Sequence, residues 1–145
     1  MVGGNFRLDA MQAAILLVKL PHLEAWHEGR RRNAAYYDQH FTLGTIEKPF
    51  LAYGREHHIY NQYIIKVQEK RDQLREYLRE KNVGHEVYYP VPFHLQDCFR
   101  DLDYKKGDFP RAEDAAARTL ALPIYPELTT EMQDYVIETV ESFYK

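Results

Sequence analysis

The sequence predicts an α/β (α+β) fold, with long N-terminal helices followed by a small sheet of about three strands packed with helices. Three observations predict it. Residues 8–41 carry apolar side chains at helical spacing, without the alternation of a strand. From residue 58 on, the patterns run strand, helix, strand, helices, strand, helix. Prolines and glycines punctuate the boundaries between these segments.

Residues 8–20 read as a helix that is apolar nearly all the way round: Leu8, Met11, Ile15, Leu16, Leu17, Val18 and Leu20. Such a helix is normally buried on every side. The residues that follow must supply that cover, and the plainer reading is a central core helix; the alternative is that part of its surroundings is missing. Pro21 breaks the helix and suits the first turn of the next. Residues 22–40 form a second helix, with Leu23, Trp26, Ala34, Tyr37 and Phe41 on one side. Arg30, Arg31 and Arg32 fan round that helix and are expected to be a solvated face.

Residues 42–58 are a connector broken by Gly44, Pro49 and Gly54. Residues 58–67 alternate as a strand, with Tyr63, Ile65 and Val67 on one face and Tyr60, Gln62 and Ile64 on the other. Residues 70–82 make an amphipathic helix that points Leu74, Tyr77 and Leu78 inward. A second strand is expected over 86–89, ended by Pro90 and Pro92, and a short helix over 94–101. Pro110 opens a helix to about Leu120. Residues 121–125 form a third strand, marked as an edge by Pro123. Thr130 and Gln133 have capping-box spacing ahead of a last helix that ends near Phe143. Met132, Tyr135, Val136, Val140 and Phe143 form its apolar stripe. The helices are expected on one face of the sheet.

Several function classes are excluded early. The net charge is -3 without a basic run, which argues against a nucleic-acid partner. No stretch reaches the roughly 20 apolar residues that span a bilayer, so no membrane partner is expected. No signal-peptide pattern is read at the N-terminus. Cys98 is the single cysteine, so no internal disulfide forms and the expected location is the cytoplasm. No histidine pairs with another, or with Cys98, at zinc spacing, so no metal is expected. The only serine, Ser142, lies on the last helix without an elbow motif.

Two stretches remain as candidates. The first is the loop Gly3-Gly4-Asn5-Phe6-Arg7 ahead of the first helix. A helix start offers free N–H groups that favour an anion, and Asn5 and Arg7 add donors. The plainer reading is that Asn5 caps the helix and Arg7 is solvated. The second is Tyr88-Tyr-Pro-Val-Pro-Phe-His94, held extended by two prolines. It presents Tyr89 and His94 rigidly enough for a ligand pocket. Its alternative is a surface loop with a capping histidine.

At this point the residues resemble a known family. Gly3-x-Asn5-x-Arg7-Leu8-Asp9 with Gln12-Ala-Ala-Ile-Leu is similar to the G-x-N-x-R…QAA segment of the DegT/DnrJ/EryC1/StrS sugar aminotransferases. Tyr63-Ile-Ile, Arg71-Asp-Gln-Leu74, Tyr89-Pro-Val-Pro-Phe-His94-Leu-Gln96, Gly107-Asp-Phe-Pro-x-Ala-Glu113 and Leu122-Pro-Ile-Tyr-Pro126 match further blocks in order. The likeness covers essentially the whole chain. The His-Leu-Gln and Gly-Asp-Phe-Pro blocks look most like the branch that makes 3-amino sugars.

The resemblance implies dimeric fold type I transaminases that use pyridoxal 5'-phosphate and transfer an amino group, typically from glutamate, to nucleotide-linked keto-sugars in polysaccharide biosynthesis. Residues 1–41 would be interdomain and dimer-interface helices, and residues 42–145 the small C-terminal α/β domain. Asn5 would reach the cofactor phosphate of the partner subunit. Arg7 would lie near that shared site, and Tyr89 and His94 would line the sugar-nucleotide side. The family's cofactor lysine lies upstream of the G-x-N-x-R segment. The chain is therefore expected to be a C-terminal portion without the catalytic large domain, inactive and cofactor-free alone, with no catalytic residue of its own. Its partners would be that domain, a second copy and a sugar nucleotide. The alternative is a non-catalytic binding or interaction domain that pairs with a separately made N-terminal half. A third reading is a stand-alone α/β ligand-binding module.

Overall fold

A computed structural model describes residues 8–145 of the chain. Helix α1 spans Ala10–Lys19 and α2 spans Leu23–His40, joined by a 3-10 turn at Leu20–His22 that contains Pro21. Strand β1 (Ile46–Glu47), β2 (Tyr63–Val67) and, after helix α3 (Arg71–Glu80), helix α4 (Pro110–Arg118) and strand β3 (Thr119–Leu122) follow. Helix α5, Thr130–Tyr144, closes the chain. The strands form one antiparallel sheet in the order β1-β2-β3, with Ile46 opposite Val67 and Tyr63 opposite Leu122. The expected class holds.

The core lies on one face of that sheet. Tyr63, Ile65 and Val67 alternate inward on β2 and meet Leu120 and Leu122 of β3. Ala34, Tyr37 and Phe41 of α2, Leu74 and Leu78 of α3, and Val136, Ile137 and Val140 of α5 complete it. The other face is not bare, as the sequence had suggested. Lys66 alternates away from the core and pairs with Asp114 of α4 at 2.6 Å. Arg118 ties the same helix to Val67 carbonyl (2.7 Å) and Glu47 (3.1 Å).

One side of α2 is seated on the chain just after β3. Gly29, Asn33 and Tyr37 follow at four-residue steps and share a face. A Cβ on Gly29 would meet Pro126 Cβ at 2.9 Å. Asn33 Nδ2 donates to the Tyr125 carbonyl at 2.7 Å, and the Tyr37 hydroxyl to the Pro123 carbonyl at 3.1 Å. Gln133 of α5, 1% exposed, donates to the Asn33 carbonyl at 2.8 Å. These bonds satisfy polar groups that would be costly if buried alone.

The tyrosines suit this role because each buries a ring and places a hydroxyl. Tyr63 donates to Asp38 at 2.8 Å, and Asp38 also receives Arg55 at 2.6 Å. Burial first, and then the Asp38 carboxylate, push the Tyr63 phenol far above its ordinary range.

Several local expectations are corrected. Strand β2 begins at Tyr63, not at residue 58, because Arg30 and Arg31 hold the Ile59 and His58 carbonyls at 2.9 and 3.3 Å. Those arginines are therefore not simply a solvated face. Tyr60, in the left-handed region with φ 45°, turns inward and is fully buried. Residues 86–89 form no strand: Glu86 alone bridges Ala121, and the chain then bends through the prolines. Thr129, not Thr130, caps α5, by accepting from the Met132 N–H at 3.3 Å. With Thr129 as the cap the box position falls on Met132, and the Gln133 amide instead donates to α2, while Met132 and Tyr135 are half exposed rather than core.

Helix α1 stands apart. No residue of it is buried; Leu16, Leu17 and Val18 are 55%, 70% and 71% exposed. The described residues do not supply the cover that its composition calls for.

Candidate functional site

The segment after Val87 carries the second sequence candidate. Pro90 and Pro92 hold it extended until a 3-10 turn at Phe93–Leu95. The Gln96 amide steadies it by donating to the Val91 carbonyl at 3.2 Å. A second 3-10 stretch, Asp97–Leu102, then leads to a turn at residues 103–108.

The structure separates Tyr89 from His94. Tyr89 is 68% exposed and lines an open cavity of about 480 Å³ with Tyr88, Val91, Leu95 and Gln96. His94 has a side chain only 7% exposed and lines another, of about 320 Å³. Phe93, Phe99, Leu102, Tyr104, Phe109 and Ala112 form the rest of that second wall. The His94 ring lies 4.8 Å from Phe109, which meets Tyr104 edge-on at 5.0 Å. The cavity is thus aromatic, with His94 as its imidazole. The two cavities flank one proline-stiffened segment.

His94 is not held by packing alone. Its Nε2 lies 3.0 Å from Glu113 Oε1 on α4. The same oxygen accepts the Gly107 N–H at 2.7 Å. Gly107 sits at φ +101°, a conformation that side chains with a Cβ rarely adopt. Asp108 closes the turn by accepting from the Lys105 N–H at 2.7 Å. The Gly107 N–H foremost, aided by His94, holds the Glu113 carboxyl below its ordinary range. Sequence reasoning missed this role for Glu113. Its only signal was membership of the Gly107-Asp-Phe-Pro-x-Ala-Glu113 block.

Asn5 and Arg7, the first candidates, lie outside the described residues. The helix that follows them is informative. Asp9 caps α1, accepting from the N–H groups of Met11 (2.8 Å) and Gln12 (3.3 Å). Two of the free donors on which the anion reading relied are therefore taken.

Several of the described lysines are engaged with neighbouring groups. Lys66 is paired with Asp114 and Glu47, Lys81 lies over the Tyr77 ring and Lys145 pairs with Glu141. Lys19 borders a groove of about 500 Å³ lined by Leu8, Ala13, Leu16, Leu17, Leu20, Leu23 and Trp26. Apart from Lys19, that wall is apolar but for the Trp26 indole. No group of metal-ligating side chains occurs among the described residues, and none of their helices is long and apolar enough to cross a membrane.

Comparison with known proteins agrees with the fold. A family model described as the DegT/DnrJ/EryC1/StrS aminotransferase family matches residues 1–141. A pleiotropic regulatory protein of Geobacillus stearothermophilus is 46% identical over 99% of this chain. A UDP-N-acetyl-3-dehydro-alpha-D-glucosamine 3-aminotransferase of Acidithiobacillus ferrooxidans is 38% identical over 90% of it. The crystal structure of Streptomyces venezuelae DesV, in complex with a ketimine intermediate, covers the whole chain with a TM-score of 0.90 and 34% identity. The chain spans 39%, 34% and 39% of those three proteins respectively.

Proposed function

The chain belongs to the DegT/DnrJ/EryC1/StrS aminotransferase family, and we propose that it forms the C-terminal wall of a nucleotide-sugar aminotransferase site. The family is pyridoxal-phosphate dependent and its relatives include 3-amino-sugar transaminases. The reaction proposed is amino transfer, with glutamate as donor, to a keto-sugar carried on a nucleotide. The cofactor would supply the electron sink that transamination needs.

The observation that carries the proposal is the His94 cavity. It combines aromatic walls with one oriented imidazole, the mixture of apolar lining and few polar groups that small-molecule sites use. In this reading His94 and Tyr89 contact the sugar nucleotide from the two ends of one stiff segment. Arg7 lies near the same cleft, and Asn5 reaches the cofactor phosphate of a partner subunit. The lysine comes from a large domain outside this chain, and the working unit is a dimer. The exposed thiol of Cys98 suits a reducing compartment, which supports the cytoplasm as the place of action.

A second reading is favoured by α1: the chain pairs with a separately made N-terminal half and acts through that interface. Its apolar residues face water and match an interaction surface.

The test is coexpression of this chain with the part of the Geobacillus relative that it does not cover. The expected result is a copurifying pair that retains cofactor and aminates a UDP-linked 3-keto-sugar from glutamate. His94→Ala and Tyr89→Ala are expected to raise KM more than they lower kcat. A pair that holds the cofactor but turns over no nucleotide sugar overturns the enzymatic reading and leaves the pairing one.

A further inference from the structure

Glu113 carries a role that the family likeness does not assign. A carboxylate is an acceptor only, so a proton must lie on the His94 nitrogen that faces it. That nitrogen is Nε2, 3.0 Å from Oε1. The two ring nitrogens diverge, so Nδ1 faces away from α4. Among the described residues Nδ1 has no hydrogen-bond partner. Glu113 is itself fixed: it sits in the first turn of α4, and Oε1 receives the Gly107 N–H at 2.7 Å. The ring is further confined by Phe109 at 4.8 Å. Its orientation and its tautomer are therefore set by one carboxylate that also closes the 105–108 turn.

We propose that Glu113 is a positioning residue for His94, keeping the proton of the neutral ring on Nε2 so that Nδ1 serves as a hydrogen-bond acceptor for a hydroxyl or amide of the bound sugar nucleotide. The proposal rests on the assignment of His94 to the sugar-nucleotide cleft. The aromatic wall of Phe93, Phe99, Tyr104 and Phe109 lowers the local polarity, where one well-placed acceptor discriminates strongly. A ligand without a donor at that point leaves Nδ1 unpaired and binds less well.

Two variants separate this role from simple stabilisation. One oxygen, Oε1, meets both the Gly107 N–H and Nε2, so Glu113→Gln with its amide oxygen in that place keeps both contacts and holds the Nε2–H form. Glu113→Ala removes both contacts and leaves the ring free to place its proton on either nitrogen. The readout is the 15N and 13C ring signature of His94 in the labelled chain, identified by its absence in His94→Gln. The Gly107 amide resonance checks that the turn survives.

The wild-type ring and E113Q are expected as the Nε2–H tautomer with the Gly107 amide in place, and the Nδ1–H form is expected to appear in E113A. Titration of the labelled chain, copurified with the large domain, with UDP-N-acetylglucosamine is expected to weaken by about tenfold in E113A, the worth of one hydrogen bond, and to hold in E113Q. A wild-type ring protonated on Nδ1, or a tautomer unmoved by E113A, overturns the positioning role whatever His94 binds. A tautomer that follows Glu113 with no response to the nucleotide sugar in either protein overturns the cleft assignment of His94, and with it the acceptor role.

Discussion

Gly29 in helix α2 touches Pro126 so closely that a Cβ there would stand 2.9 Å from the proline Cβ and 3.0 Å from its Cα. The neighbour includes backbone, which cannot swing aside. Gly29→Ala is expected to lower the unfolding free energy by about 1–3 kcal/mol through overpacking. This loss exceeds the helix preference of alanine, about 1 kcal/mol in the other direction. Urea denaturation measures it, and an unchanged midpoint would contradict the seat of α2 on residues 123–126.

The same seat depends on Asn33. Asn33→Ala removes the donor to the Tyr125 carbonyl but leaves its own carbonyl for Gln133. The expected loss is about 1–3 kcal/mol, the cost of an unmet buried acceptor. Asn33→Asp is expected to be at least as damaging, since a carboxylate would face a carbonyl oxygen. Both follow from equilibrium unfolding.

Acid should release the His94 clamp. The folded Glu113 carboxyl titrates below its ordinary value of 4.5, with the Gly107 N–H as first cause. Its stabilising contribution is therefore full above pH 4.5 and is lost as pH falls through the lower folded value. The Glu113 13C carboxyl shift is expected to titrate below 4.5, and the Gly107 amide to move with it. In E113Q the Gly107 amide should show no such step.

Helix α1 yields the opposite kind of result. The double variant Leu16→Glu, Leu17→Glu is expected to leave the unfolding free energy within about 0.5 kcal/mol of the parent, as for surface sites. Leu74→Ala, fully buried, should cost about 2–5 kcal/mol in the same assay. Sedimentation velocity should show the parent self-associating and the double variant much less so, because the exposed apolar patch is removed.

Where local chemistry decides, the sequence was legible. The spacing of Leu74 and Leu78 located α3, and Pro110 marked the first turn of α4. The alternation of Tyr63, Ile65 and Val67 named the inward face of β2. The all-round apolar character of residues 8–20 correctly signalled a helix that these residues leave uncovered. What failed depends on distant partners. Nothing near residue 58 reveals that Arg30 and Arg31 will bind its carbonyls and shorten the strand. Gln133 looks like a capping residue until Asn33 arrives from the other end of the chain. For the site, Tyr89 and His94 were singled out together, yet they line different cavities. Glu113 was visible only as a letter in a block, since its meeting with His94 is created by the 103–108 turn.

The distances in sequence across the α2 seat have a consequence for biosynthesis. Tyr37 bonds to a carbonyl 86 residues later, Asn33 to one 92 residues later, and Gln133 reaches Asn33 across 100. Helix α2 leaves the ribosome before its berth, which lies 86 to 100 residues further along the chain. Until then its buried side is an orphan, open to chaperones or to wrong neighbours. A nascent chain stalled before Pro123 therefore holds a formed helix with nowhere to dock, and the arrival of residues 123–133, not helix formation, times the closing of this domain.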